Sequence, residues 1–319
     1  MKARSSIACT ALFLAISALA PVGKLSARVP EQDITTQWVE NFGGDSSAYS
    51  VQRPGKGALP VRSLMSLKPN DIVNVSNDTG WIELHLETHG EFFICRSEKA
   101  GRPCDGTPPF KVPSTKAPLT VSDRVVDWLR GHIYDWIDNH ETTTAQDAMT
   151  NRGGSISAPL LAARPTRLVE GKRKLCLAWS GGNQPYRIRI VNSANQARVL
   201  DADLKSGPTW CSQEIDLKQG VYLLSLTSAD SAFDSGFFVV GEKEAPVIPD
   251  LGTGLDLELR TTIEAAWLSS QGNGVWLWEA YSRVVPLCDT YRPAQALCRS
   301  LENGNRPASA PDLSAGGPH

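Results

Sequence analysis

Residues 81–95 read WIELHLETHGEFFIC. His85, Glu87 and His89 are the residue types from which zinc sites are built, yet the same letters also spell a β-hairpin. Ile82, Leu84 and Leu86 alternate with Glu83, His85 and Glu87, a period of two that marks a half-buried strand with its polar face toward water. On a strand, residues four apart stand about 13 Å apart, too far to share one zinc at bonds of about 2 Å. The helical metalloprotease spacing H-E-x-x-H is absent, since the order is His85-Leu86-Glu87-Thr88-His89. His89-Gly90 falls where the hairpin turns, with glycine supplying a positive φ. The stretch predicts a hairpin, and no metal ligands are expected.

Working outward, short β-rich runs at 61–67, 71–75, 81–88 and 91–95 are separated by Lys68-Pro69-Asn70-Asp71 and Asn77-Asp78-Thr79-Gly80. Before them, 28–58 reads as an extended lead-in with an edge strand around Trp38 to Phe42. After a Pro-rich connector, SDRVVDWLRGHIYDWIDNH is helical in period, with Ser122 as N-cap and an apolar side docking on the preceding sheet. A β domain with a C-terminal helix is thus expected over 59–140 and a polar linker over 141–165. A second β-rich unit follows at 166–242, with turn signals every 8 to 12 residues, the rhythm of a small antiparallel sandwich. Helical spacing returns from Leu255 to Ser269, Val275 to Val285 and Pro293 to Leu301, predicting a helical cap over 250–302. Residues 303–319 are rich in Pro and Gly and expected to be disordered. The fold class is mainly β with α.

The chain has 319 residues, enough for two or three domains, and a formal net charge of −2. MKARSS followed by IACTALFLAISALA has the charged and apolar regions of a secretory signal, so residues 1–27 are read as an export signal. Cleavage fits after Ala27 better than after Ala20, which Pro21 follows. Cys9 lies before most of the apolar run, which argues against a lipoprotein. A periodic or patchy surplus of base is missing, so nucleic acid is not an expected partner, and no transmembrane helix is expected in the mature chain. Beyond Cys9 the cysteines form three sequence-local couples in separate segments. They are Cys95 with Cys104, Cys176 with Cys211, and Cys288 with Cys298, expected as three disulfides of a periplasmic or secreted protein.

Leu67-Lys68-Pro69-Asn70-Asp71-Ile72-Val73-Asn74-Val75, with the hairpin through Gly90, resembles the L-x-P-G-D-x-I-x-V opening of FecR-type β domains, Asn70 standing where that pattern has glycine. Ser180-Gly181-Gly182-Asn183-Gln184-Pro185-Tyr186 is similar to a connection in bacterial immunoglobulin-like modules. The two blocks cover about 180 residues and carry no catalytic motif. The resemblance implies an exported envelope protein that senses, scaffolds or assembles.

No nucleophile elbow, Walker loop or dinucleotide fingerprint occurs, and no catalytic or cofactor-binding residues are expected. The leading expectation is a non-enzymatic envelope protein acting by protein or glycan contact, or by regulating a sensor, with an envelope protein as partner. Its candidate contact surfaces are His89-Gly90 and the aromatic set Trp276, Trp278 and Tyr281; aromatics on such helices are more often core, but interface hot spots favour Trp and Tyr, which keeps the set as a candidate. The rival is a periplasmic hydrolase using a groove lined by Glu83, Glu87 and Glu91.

Overall fold

The structure, a computed structural model, describes residues 36–87, 89–97, 102–114, 120–134, 154–163, 165–204, 207–251 and 255–307. The expected signal peptide at 1–27, the linker up to residue 153 and the tail beyond 307 lie outside the described residues.

Seven strands build the first β unit: β1 (Trp38–Phe42), β2 (Tyr49–Arg53), β3 (Gly57–Pro60), β4 (Ile72–Val75), β5 (Trp81–Leu86), β6 (Gly90–Cys95) and β7 (Phe110–Lys111). They form two sheets, ordered β1-β5-β6 and β3-β2-β4-β7, around a core that holds Val51, Val73, Ile82, Leu84, Leu86 and Ile94. The stretch expected as a lead-in therefore supplies three strands, and the unit begins before residue 59. Residues 61–67, by contrast, link β3 to β4 of the same sheet without a named strand, and on the way bridge β1 through Ser66 and Trp38. At the turn into β4, Asn70 takes φ 70°, the left-handed region that favours glycine and tolerates asparagine. Asp71, fully buried, accepts from the backbone N–H of Lys68 at 2.9 Å and from Arg53 Nε and Nη2 at 3.1 and 2.7 Å.

A helix, α1, covers residues 121–134. Thr120, not Ser122, caps it: the Asp123 N–H donates to Thr120 Oγ1, and the Asp123 carboxylate accepts from the Thr120 N–H, a reciprocal capping pair. Its buried face is Val125, Val126, Leu129 and Ile133, which joins Trp38 and Leu64 in the second core. Trp128 sits at the edge of that face.

The second unit contains β8 (Thr166–Val169), β9 (Gly171–Arg173), β10 (Cys176–Ala178), β11 (Tyr186–Asn192), β12 (Arg198–Leu204), β13 (Thr209–Cys211), β14 (Ile215–Leu217), β15 (Gly220–Thr227) and β16 (Ala232–Val240). Five of them form a sheet ordered β12-β11-β15-β16-β8, antiparallel except that β8 runs parallel to β16. The opposing layer consists of the pairs β10-β13 and β9-β14. Tyr222, near the start of β15, donates its hydroxyl to the carbonyl of Lys218 at 2.7 Å.

Three further helices, α2 (Leu257–Ser270), α3 (Leu277–Val284) and α4 (Arg292–Glu302), form the cap. Gly272 and Asn273 adopt φ 57° and 58° between α2 and α3, which ends the first helix as the Gly-Asn-Gly break predicts. The cap has no separate core: Leu259, Ile263, Trp278 and Leu297 share one cluster with Ile188, Leu224 and Phe237 of the five-stranded sheet. All three predicted disulfides are present, Cys95–Cys104, Cys176–Cys211 and Cys288–Cys298. No described helix is long and apolar enough to cross a membrane.

Candidate interaction surfaces

Two of the three hairpin acids, Glu83 and Glu91, share one arginine. Glu83 is 9% exposed and accepts from Arg102 Nη1 at 2.5 Å; Arg102 Nη2 lies 3.6 Å from Glu91, and its guanidinium covers the Phe93 ring at 4.7 Å. Glu87 stands apart and accepts from Thr36 Oγ1 at 2.8 Å. The polar face expected to be solvated is partly covered, because this sheet packs on both sides. Ile82, Leu84 and Leu86 enter the first core, while on the opposite face the His85 ring stacks on Trp38 with centroids 4.0 Å apart. Burial pushes the His85 imidazole below its ordinary value, against the pull of Asp123 and Asp256. His89 is exposed at the hairpin tip, with its ring 5.7 Å from Phe92, and Gly90 adopts φ 66°. Among the described residues no three His, Cys, Asp or Glu side chains stand close enough to hold a metal ion.

Trp276, Trp278 and Tyr281 are 3%, 0% and 2% exposed, so of the two readings open for the aromatic set it is core and not a contact surface. Trp278 donates Nε1–H to the Cys176 carbonyl at 2.7 Å and meets Phe237 edge-on at 5.0 Å. The Tyr281 hydroxyl donates to Glu302 at 2.7 Å. Helical spacing alone cannot distinguish a stripe facing solvent from one facing a sheet.

Where the cap meets the first unit, sequence reasoning misses an acidic junction. Glu40 occupies a β-bulge in β1, between Val39 opposite Leu84 and Asn41 opposite Glu83. The extra residue lets Val39 and Phe42 both enter the core and turns Glu40 outward toward the cap. There Glu40 is fully buried, and its Oε1 accepts from the Tyr291 hydroxyl at 3.3 Å. Its Oε2 makes no hydrogen bond with the described residues. Burial, then the neighbouring Asp256 carboxylate, with Glu83 and Glu91 beyond it, hold the Glu40 carboxyl well above the ordinary carboxylate range. Arg292 next to Tyr291 donates to the carbonyls of Phe42 and Gly44 and lies 4.2 Å over the Phe42 ring.

A cluster of exposed apolar side chains lies elsewhere, on the outer face of the five-stranded sheet. Val221 and Leu223 on β15 are 40% and 46% exposed, and Phe238 on β16 is 40% exposed. Together with Val191 they border a shallow groove of about 790 Å³, flanked by Arg189 on one side and Asp234 on the other. The signal for it was in the chain. Val221-Tyr222-Leu223-Leu224 and Phe237-Phe238-Val239-Val240 are continuous apolar runs, which mark strands apolar on both faces. One face of each is core, Tyr222 and Leu224 with Phe237 and Val239; the other leaves Val221, Leu223 and Phe238 exposed. A second cleft of about 680 Å³ separates β10 and β13 from α3 and includes Trp210, Tyr281, Asp289 and Glu302.

No protein-family model matches the chain, and no curated protein matches it.

Proposed function

We propose that this is an exported, non-enzymatic binding and scaffolding protein that holds a protein partner on the outer face of its five-stranded sheet. Three disulfides support export to an oxidising compartment. The FecR-like reading of the first unit is supported by Asn70, which takes the left-handed conformation that the family's glycine would take. An immunoglobulin-like second unit is supported by β8 running parallel to β16 and by the Tyr222 hydroxyl bonded to Lys218, the geometry of a tyrosine corner.

The observation that carries the reading is the joint exposure of Val221, Leu223 and Phe238 on adjacent strands, since contiguous exposed apolar surface marks interaction sites. Hydrolysis by the hairpin carboxylates finds less support, with Glu83 and Glu91 both held by Arg102. Cross-linking in envelope extracts tests the proposal. A Leu223→Asp, Phe238→Ser double variant should lose its cross-linked species while unfolding at the wild-type temperature; an unchanged cross-linking pattern would count against it.

A further inference from the structure

We infer that the partner on this face is a second copy of the chain, bound about a two-fold axis that runs along β15. The inference rests on the binding role proposed above and names its occupant.

The register of β11, β15 and β16 arranges their outward side chains in rows. Arg189, Ser225 and Asp234 form one row, and Val191, Leu223 and Gly236 the next. Val221 and Phe238 form the third row, with Ser193 beside them through its N–H bond to the Val221 carbonyl. A two-fold along β15, lying between two facing sheets, keeps each row and exchanges its ends. Arg189 of one copy then lies over Asp234 of the other, Val191 over Gly236, and Ser193 over Phe238. Each row matches: opposite charges meet in the first, and a large side chain meets a small or absent one in the other two. Leu223 and Val221, on the axis, meet their own copies. An axis across the strands would instead place Asp234 over Phe238 and Arg189 over Ser193.

The charges are disposed to be used in this way. The Asp234 side chain is exposed and makes no hydrogen bond or ion pair among the described residues. Arg189 shares Asp201 with Arg187 and Arg198, at 3.5 Å against 2.7 and 3.0 Å, so it holds the longest of three competing contacts. Facing sheets pack with strands about 30° apart, which preserves register near the axis, where these three strands lie. Five strands about 4.8 Å apart and about seven residues long present a face of about 550 Å² per copy. Full coverage of that face would bury about 1,100 Å² in the pair, the size of a small, reversible interface. Identical patches meeting about a two-fold are the commonest form of oligomer.

Sedimentation velocity on the full chain, produced by export so that its disulfides form, tests the arrangement. Wild-type protein should dimerise, and Leu223→Glu should be monomeric. Arg189→Asp and Asp234→Arg, each placing like charges together, should weaken the dimer at least tenfold. The double variant R189D/D234R should recover to within about threefold of wild type, all with unchanged thermal unfolding. A wild type that stays monomeric at 200 µM, or a double variant no better than the singles, would overturn the inference. Loss of extract cross-links by the Leu223→Asp, Phe238→Ser variant of a monomeric wild type would remove the second copy while leaving the binding role standing.

Discussion

The Tyr291 hydroxyl, at the start of α4, donates to Glu40 Oε1 on β1 at 3.3 Å, joining residues 251 positions apart through a buried acid. Because Glu40 is raised well above its ordinary value by burial and by Asp256, Glu83 and Glu91, it binds a proton more tightly in the folded chain than in the unfolded one. A carboxyl raised in this way contributes its full stability below about pH 4.5 and loses it as pH rises through the folded value. Glu83 and Glu91 are raised too, by burial first, and add to the same trend. Replacing Glu40 with Gln removes the titration and keeps an acceptor for Tyr291. E40Q should therefore unfold at a higher temperature than wild type at pH 9 and differ less at pH 5. The gain at pH 9 over that at pH 5 reads the cost of ionising Glu40 in its buried site, a cost that the neutral amide does not carry. Parallel wild-type and variant melting curves across that range would refute the assignment.

Glu279 behaves in the opposite sense. It is 1% exposed, and burial pushes it up, yet Arg173, Arg283 and the Val169 N–H together hold it below the ordinary value. The contacts are short: Arg173 Nη1 at 2.6 Å, Arg283 Nε at 2.8 Å and the Val169 N–H at 3.0 Å. Its contribution is present above about pH 4.5 and is lost as pH falls through the folded value. Glu279→Ala should cost about 3–5 kcal/mol at pH 7, because it strands Arg173 without its partner. The deficit relative to wild type should narrow below pH 4, read from urea midpoints.

Asn70 and Asp71 separate two causes within one turn. Asn70→Gly removes the cost of a side chain at φ 70° but loosens the unfolded chain, so its effect should stay within about 1 kcal/mol. Asn70→Ala should destabilise by about 1 kcal/mol, since alanine tolerates the left-handed region less well than asparagine. Asp71→Ala should cost several times more, about 3–5 kcal/mol, by stranding Arg53 and the Lys68 N–H together. Equal losses for Asn70→Ala and Asp71→Ala in denaturant titrations would show that the ion pair does not govern the turn.

What could be read from the chain depended on how local the cause was. Alternation in Ile82, Leu84 and Leu86, the Gly272-Asn273-Gly274 break and the neighbouring cysteine couples are short-range signals, and strand, helix end and disulfides followed them. Glu40 becomes a buried acid only because a bulge re-aims it and because Tyr291 and Asp256, more than two hundred residues away, close over it. The aromatics of α3 fit a core face and a contact surface alike, because the sheet beneath Trp278 comes from another segment and periodicity does not identify what a face packs against. The pairing of β8 with β16 likewise joins positions about 70 residues apart, which no local pattern specifies. The outer apolar face was legible in the continuous runs of β15 and β16, once the inward residues are subtracted.

The Cys176–Cys211 bridge closes the longest of the three disulfide loops, with a sequence separation of 35 against 9 and 10 for the others. In the loop-entropy account it should contribute about 3.8 kcal/mol, against about 2.7 kcal/mol for Cys95–Cys104. Cys176 also lends its carbonyl to the Trp278 indole, so slack between β10 and β13 reaches the cap. The C176A/C211A variant should lose more stability than C95A/C104A. Its denaturant slope should also rise, because an unfolded chain without that cross-link exposes more surface. If the shorter loop proves the more costly to open, native packing around Cys95 outweighs the restriction of the unfolded chain, and the ranking by loop length fails.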